Sequence, residues 1–363
     1  MINGGPTRTK PETRDSFMSV DGVRLHWTEL GETSLRIPVV LLHGLNDSHL
    51  TWKRAALALS VDRRVLMPDL PGYGLSERPD ASYELRWHAR VMAKWLEAIG
   101  LDSVDLVGHS FGGGVAQVML LECPSKIRRL VLVASGGLGR QVTPVLRLAA
   151  IPRVVERFGQ RFMAFGTRVA LGGDGAGLSK QDVMELSAMN GTPGSARAFA
   201  RTVRDVIDWR GQRRTFFQSA HELAELPPIA VFWGDRDTII PAAHGRAFAA
   251  FVEGVELRQF SGCGHFLHTE QPSAFARTVR DFLDDAAIPR ARLRRTDALP
   301  MARWTRPSGM KWLISAPERA RATAATALDS CFGFWRRKAL RAKAAGFSGV
   351  GATSSSAVAA VSS

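Results

Sequence analysis

Apolar residues along this chain switch between two spacings, and the switches mark the elements. Between residues 16 and 30, Phe17, Val20, Val23, Leu25 and Trp27 stand among polar neighbours around Asp21-Gly22, which predicts a hairpin of two exposed strands. Ile37-Pro38-Val39-Val40-Leu41-Leu42 is almost continuously apolar, the pattern of a strand buried on both faces. A helix through Trp52, Leu57 and Leu59 follows. The short strand Val65-Leu66-Met67-Pro68 then runs into the turn-rich residues 69–76. Residues 83–99 repeat Leu85, Val91, Trp95, Leu96 and Ile99 at helical spacing and stop at Gly100. Val104-Asp105-Leu106-Val107 reads as a strand, residues 115–121 as the apolar face of a helix, and Leu130-Val131-Leu132-Val133 as another strand.

Strands that alternate with helices at this spacing predict the α/β class, with a mostly parallel, doubly wound sheet covered on both faces. The rhythm breaks over residues 136–227, which read as helical and loop-rich, with Phe158, Phe162, Phe165, Phe199, Trp209, Phe216 and Phe217 as aromatic surface. It resumes at Ile229-Ala230-Val231-Phe232-Trp233 and again over residues 255–260, and a closing helix spans about 272–283. Five segments are therefore expected: a polar N-terminal segment 1–15, a first core part 16–135, a helical cap insertion 136–227, a second core part 228–287, and a basic C-terminal extension 288–363, partly disordered.

The chemistry concentrates at the strand ends. Gly108-His109-Ser110-Phe111-Gly112 places a serine between a strand and a helix, where a sharp, strained turn projects the hydroxyl from the top of the sheet. A serine hydroxyl is a weak nucleophile at neutral pH and needs a base. An imidazole suits that role, with a buried carboxylate to fix its tautomer. Gly234-Asp235-Arg236-Asp237 and Gly262-Cys263-Gly264-His265 follow the two resumed strands. All three groups would thus lie on the ligand-binding edge of an open α/β sheet, in the order Ser, Asp, His. Two acids compete for the carboxylate; the spacing to Gly234 and Pro241 favours Asp237 over Asp235. His268 is expected to pack or sit at a rim, and nothing around Cys263 marks it as a nucleophile.

Five motifs together carry a family resemblance: His43-Gly44; Asp69-x-Pro71-Gly72-x-Gly74-x-Ser76; Gly108-His109-Ser110-Phe111-Gly112-Gly113; Gly234-x-x-Asp237-x-x-x-Pro241; and Gly264-His265 with Glu270 and Pro272. Over about residues 16–285 the chain resembles the α/β-hydrolase superfamily, within it the capped serine esterases and the carbon–carbon hydrolases of meta-cleavage products. The resemblance implies a catalytic triad with Ser110 on a nucleophile elbow, His265 as base then acid, and Asp237 as orienting carboxylate. It implies an oxyanion hole from the backbone N–H groups of Leu45 and Phe111, and places His43, Gly44, His109 and Phe266 near the substrate pocket. No cofactor or metal is expected.

The substrate is then a small-molecule ester or ketone. Carboxylic-ester hydrolysis of an apolar substrate comes first. Carbon–carbon hydrolysis is the alternative: such enzymes commonly carry an aromatic residue after the histidine, as Phe266 is here, and a cap arginine, for which Arg168, Arg197, Arg201 and Arg204 are available. A thioesterase or lipid hydrolase, and a binding module with a silent site, also remain open.

Charge changes little of this. The net charge is +14, but from Arg290 onward fourteen Lys and Arg face only Asp297, Glu318 and Asp329. The basicity belongs to the tail, so nucleic-acid binding by the catalytic body is not expected. Residues 319–343 could form a basic amphipathic helix for peripheral membrane contact, against the alternative of a solvated extension. Cys123, Cys263 and Cys331 form no disulfide framework. With no apolar signal segment, a cytoplasmic protein is expected. Oligomeric state is left open.

Overall fold

The structure is a computed structural model that describes residues 13–32, 35–149, 154–172, 176–213, 216 and 226–294. The helix expected over 319–343, and with it the membrane-contact expectation, lies outside the described residues. So do Phe217 and most of the N-terminal segment.

Eight strands form one sheet: β1 (Arg14–Val20), β2 (Val23–Leu30), β3 (Val39–Leu42), β4 (Val65–Pro68), β5 (Val104–His109), β6 (Ile127–Val133), β9 (Ile229–Gly234) and β11 (Glu256–Phe260), in the order β1-β2-β4-β3-β5-β6-β9-β11. The six from β4 to β11 run parallel, while β1 and β2 are antiparallel. The chain passes from β3 to β4 on one side, then crosses to β5 on the other. The strand order therefore reverses between β3 and β5, where open α/β sheets leave a crevice beyond the strand ends. The continuous apolar runs have their reason here: every residue of β3, β4 and β5 is buried. Each fully buried Val or Leu contributes roughly 1.5–3 kcal/mol.

The hairpin turns at Asp21-Gly22, both at positive φ (51° and 76°), as a two-residue hairpin loop between right-twisted strands requires. Its two strands differ, however. β1 alternates with the solvent, whereas β2 is almost wholly buried. The expectation of two exposed strands fails at β2 because its second edge pairs with β4 and Trp27 packs edge-on against Trp95, 5.7 Å between rings. Alternation along a strand does not reveal what lies on its far side.

Helices cover both faces: α1 (Lys53–Leu59), α2 (Leu85–Ala98), α3 (Phe111–Glu122), α9 (Ala243–Phe251) and α11 (Pro272–Asp284), with the short α10 (Leu267–Glu270) preceding the last. α2 ends where Gly100 adopts a left-handed φ of 72°. There the N–H groups of Gly100 and Leu101 reach back to the carbonyls of Glu97 and Leu96, a Schellman termination. α9 went unread in the sequence, since its apolar face is one turn of small residues around Phe248.

Between β6 and β9 lie α4 (Pro144–Ala149), α5 (Val154–Phe158), α6 (Gln160–Leu171), α7 (Lys180–Asn190), α8 (Ser195–Val206) and the two-residue strands β7 (Ile207–Asp208) and β8 (Gly211–Gln212). Of the aromatics there, Phe158, Phe162, Phe165 and Trp209 are exposed, while Phe216 is buried. Near the end of the described chain, β10 (Val252–Glu253) pairs with β12 (Arg292–Leu293). Among the described residues no helix is long and apolar enough to cross a membrane.

Candidate active site

Ser110 stands between β5 and α3 with φ 52° and ψ −113°, a backbone conformation that costs a non-glycine residue about 1–3 kcal/mol. The surroundings hold it there. Its N–H donates to the Val133 carbonyl at 3.0 Å, and its own carbonyl accepts from Gly113 at 3.1 Å and Gly136 at 2.9 Å. The turn is so tight that a Cβ on Gly108 would stand 2.6 Å from the Gly112 carbonyl oxygen, and one on Gly112 would stand 2.5 Å from the carbonyls of Leu42 and His43. Glycine at both places lets the first turn of α3 lie directly against β3 and β5.

His265 follows β11, and Asp237 follows β9. His265 Nδ1 lies 2.8 Å from Asp237 Oδ2, and the Asp237 side chain is fully buried. The carboxylate is fixed on all sides: Oδ1 accepts from the N–H groups of Ile239 (2.8 Å) and Ile240 (3.0 Å), and Oδ2 also accepts from Trp233 Nε1 (3.1 Å). With Nδ1–H donated to a carboxylate, Nε2 of His265 is left as the basic nitrogen. Asp235 is exposed and instead accepts from the Gly262 N–H at 2.8 Å.

The other singled-out residues take supporting positions. His43 is fully buried. Its Nε2 accepts from the Leu70 N–H at 2.9 Å, so the proton sits on Nδ1, which donates to the Gly44 carbonyl at 2.8 Å. Burial pushes its pKa down to about 4. Because the C=O and N–H of a trans peptide point opposite ways, this bond aims the Leu45 N–H away from His43. His109 donates from Nε2 to the His265 carbonyl at 3.0 Å and is kept neutral by burial. Gly44 lies against both: a Cβ on it would come within 3.0 Å of His109 Nδ1 and 3.4 Å of Ser110 Cβ. Phe266 stacks near His109, 5.3 Å between rings. His268 is no rim residue. It is fully buried against Trp52 at 4.2 Å, and burial lowers its pKa to about 3. Cys263 is buried with its thiol pushed up to about 11, so it stays protonated.

A cavity of about 150 Å³ reaches Ser110, with Phe111 and Leu45 beside it and Val142, Leu146, Val206 and Ile240 on its walls. Phe111 opens α3, where backbone N–H groups have no intrahelical acceptor and favour negative charge. None of His43, Gly44, His109 and Phe266 lines this cavity. Arg168, Arg197, Arg201 and Arg204 do not line it either. Arg201 pairs with Glu156 and Asp80, Arg204 pairs with Glu156, Arg197 donates to the Arg78 carbonyl, and Arg168 is exposed.

Several residues here were not legible in the sequence. Asn46, at φ 58°, ties the loop carrying Leu45 to the insertion: its carbonyl accepts from Asn190 Nδ2 at 2.9 Å, and its Nδ2 donates to Thr167 Oγ1 at 3.3 Å. These partners are more than a hundred residues apart, and no local pattern joins them. His26, His49 and Asp69 are close enough to hold a metal ion, with ligand atoms within 4.8 Å. The donor set argues otherwise, because the Asp69 oxygens already accept from His26 Nδ1, His49 Nδ1 and the N–H groups of His49 and Leu75, at 2.7 to 3.0 Å.

Comparison with known proteins agrees with this fold. A model of the alpha/beta hydrolase fold family matches residues 37–272. An uncharacterized protein of Mycobacterium tuberculosis (strain ATCC 25618 / H37Rv) is 33% identical over 307 residues, covering 80% of this chain and 89% of that protein. A 2-hydroxymuconate semialdehyde hydrolase of Pseudomonas sp. (strain CF600) is 30% identical over 267 residues, covering 71% of this chain and 91% of the relative. Among solved structures, wild-type Cfl2 from Burkholderia cenocepacia superposes with a TM-score of 0.63 at 26% identity, over 75% of this chain and 96% of that one. The chain belongs to the α/β-hydrolase fold family.

Proposed function

We propose that this α/β hydrolase is a serine hydrolase that cleaves a carboxylic ester of an apolar acid through an acyl-enzyme on Ser110. One observation carries the reading. The His265–Asp237 hydrogen bond of 2.8 Å comes from loops at the same end of the parallel strands as the strained Ser110.

The steps follow from the geometry. His265 Nε2 takes the Ser110 proton as Oγ bonds to the substrate carbonyl carbon. The carbonyl oxygen becomes an oxyanion, and the N–H groups of Phe111 and Leu45 stabilise it; a single such donor is worth roughly 3–4 kcal/mol. His43 holds the second of these peptides in place through Gly44. The ester C–O bond then breaks, and His265 returns its proton to the leaving alkoxide. Water repeats the sequence on the acyl-enzyme and releases the acid. Asp237 keeps the imidazole in the reactive tautomer and stabilises its cation. Residues 136–227 act as a cap, since Val142, Leu146 and Val206 supply the cavity's outer wall.

The test is hydrolysis of p-nitrophenyl esters by wild type and Ser110→Ala, with a fluorophosphonate probe. Wild type should turn over esters and be labelled at Ser110, and the variant should lose roughly 10⁴–10⁶-fold in kcat together with the label. Turnover that survives the substitution would refute the assignment.

A second reading, hydrolysis of a carbon–carbon bond in a ring-fission product, is favoured by the relatives named for 2-hydroxymuconate semialdehyde and 2-hydroxy-6-oxo-2,4-heptadienoate hydrolysis, at 30% and 28% identity. Faster turnover of a dienol ketone than of any ester would select it.

A further inference from the structure

One wall of the cavity is α3: its lining includes Ser110, just before the helix, and Gly114, Val118, Leu121 and Glu122 along it. Positions four and three apart fall on one helix face, so these residues make a continuous stripe. From Phe111 to Glu122 that stripe extends about 17 Å. The outer end is framed by Arg86 and Glu122, which pair at 3.3 Å with side chains 71% and 39% exposed. Exposed pairs of this kind are weak, so the mouth opens readily.

Two details fit the lumen to an apolar chain. The first concerns its two glutamines, whose amides are turned into the protein. Gln117 Nε2 donates to the Gly136 carbonyl at 2.7 Å and to Ser135 Oγ at 2.9 Å, while Gln212 Oε1 accepts from the Gly137 N–H at 2.7 Å. The charged side chains of the lining are Arg86 and Glu122, at the far end of α3 from Ser110 and paired with each other. The second concerns Gly114. A Cβ there would meet only Leu85 methyls, at 3.4 and 3.5 Å, which is ordinary contact. Packing does not require glycine at this fourth residue of α3, and glycine costs up to about 1 kcal/mol against alanine within a helix. What its missing side chain preserves is the width of the cavity beside Ser110.

We infer that the substrate is the ester of an unbranched, medium-to-long-chain fatty acid, with its carbonyl at Ser110 and its methyl end toward the Arg86–Glu122 mouth. An extended chain gains roughly 1.2 Å per bond, so about 17 Å takes roughly fourteen carbons. This inference rests on the serine-hydrolase reading and narrows it. It also differs from the ring-fission reading, whose acidic substrates would meet Arg86 only at the far end of α3, already paired with Glu122.

The experiment uses full-length wild type, Val118→Trp as a plug halfway along, and Gly114→Ala as a milder narrowing in case the plug does not fold. Each is assayed on p-nitrophenyl acetate, butyrate, octanoate, dodecanoate and hexadecanoate, and its rate of Ser110 labelling is measured with ethyl and dodecyl fluorophosphonates. Wild type should favour dodecanoate over butyrate in kcat/KM by roughly tenfold or more. Val118→Trp should cut that ratio by about tenfold to a hundredfold, as several methylenes lose their site, and Gly114→Ala should cut it less. A wild-type optimum at acetate, or a ratio unmoved in every folded variant, overturns the inference; if Ser110 still labels, the serine-hydrolase reading stands without it. No labelling and no turnover of any ester overturns both.

Discussion

Among the described residues, two buried carboxylates hold histidines, and only one of them belongs to the proposed machinery. Asp69, at the end of β4, accepts from His26 Nδ1 at 2.8 Å, from His49 Nδ1 at 3.0 Å, and from two backbone N–H groups. Asp237, after β9, binds the single imidazole of His265. Hydrogen-bond length does not separate them. The difference lies in what each arrangement leaves over. Around Asp69 the donors converge on the carboxylate, and His26 is further held by Asp15 at 3.3 Å. Around Asp237 one ring nitrogen is committed and the other is free to act as base, at the strand edge where Ser110 is strained. An Asp–His pair by itself is therefore a structural device; the strained serine at the same strand edge is what supports the proposed catalytic role of one of them.

Substitution should separate the two regions sharply. Asp237→Asn is expected to cut ester kcat by roughly 10⁴-fold, because the amide favours the wrong imidazole tautomer, with a smaller drop in Tm than at Asp69, since the amide oxygen keeps the Ile239 and Ile240 donors and Trp233 Nε1 keeps the Ile240 carbonyl. Asp69→Asn should do the reverse. It leaves buried donors facing an amide, at a cost of about 3–5 kcal/mol and a Tm drop of roughly 10 °C, while kcat of the folded fraction stays within a few-fold. Paired melting curves and ester assays check both, and a reversed outcome would break the comparison. The pH dependence has a definite sign. Burial alone would raise the Asp69 pKa, but His49 and His26 outweigh it and hold the carboxyl far below its ordinary value. Its contribution is thus present at and above ordinary carboxylate pKa values and is lost only as pH falls below them. For His49, burial pulls down, but Asp69 outweighs it and the pKa is raised. That contribution is full below about 6.5 and fades as pH rises through the folded value.

The sequence was informative where function depends on local backbone geometry. Gly108-x-Ser110-x-Gly112 could be read because a strained turn of this kind leaves no room for side chains, so the glycines announce it. The parallel sheet could be read because strands buried on both faces must be continuously apolar, as at Val39–Leu42. The hairpin could be placed but not its burial, since β4 lies outside β2's own pattern. The Asp69 knot was legible only as a turn, because His26, His49 and Asp69 meet from three separate elements. Asn46 and its partners Thr167 and Asn190 were hidden for the same reason. The cavity along α3 was invisible, because Gly114, Val118 and Leu121 look like any helix face until the insertion closes over them.

A third buried carboxylate, one without an imidazole, sharpens the comparison. Asp47 accepts from the Ser48 N–H (2.7 Å) and Thr51 Oγ1 (3.0 Å), with a further bond to the Gly44 backbone, and burial outweighs these bonds and pushes its pKa up to about 7. The unfolded chain ionises this group near pH 4, so between about pH 4 and 7 the unfolded state loses the proton first and stability falls as pH rises. Asp47→Asn should flatten that slope, recovering about 2–4 kcal/mol at pH 8 relative to pH 4. Urea unfolding across this range measures it. Asp105, raised to about 6 by burial, contributes a slope of the same sign that persists in the variant. An unchanged wild-type slope in Asp47→Asn would mean that the buried group is ionised and that its hydrogen-bond donors suffice.

The smallest expected effect decides the assignment that the sequence left open. Asp235 and Asp237 share one loop, and the spacing to Gly234 and Pro241 favours Asp237 without excluding Asp235. Asp235 is exposed and holds only the Gly262 N–H, an acceptor role that an amide oxygen can also fill. Asp235→Asn should therefore change stability by no more than about 0.5 kcal/mol and leave ester kcat within about twofold, since no tautomer depends on it. The value of so small an effect is its contrast with the neighbour two residues on. If Asp235→Asn instead lost activity on the scale expected for Asp237→Asn, the imidazole would take its orientation from the turn at Gly262. The buried carboxylate, with its Trp233, Ile239 and Ile240 donors, would then belong with Asp69 as a purely structural knot.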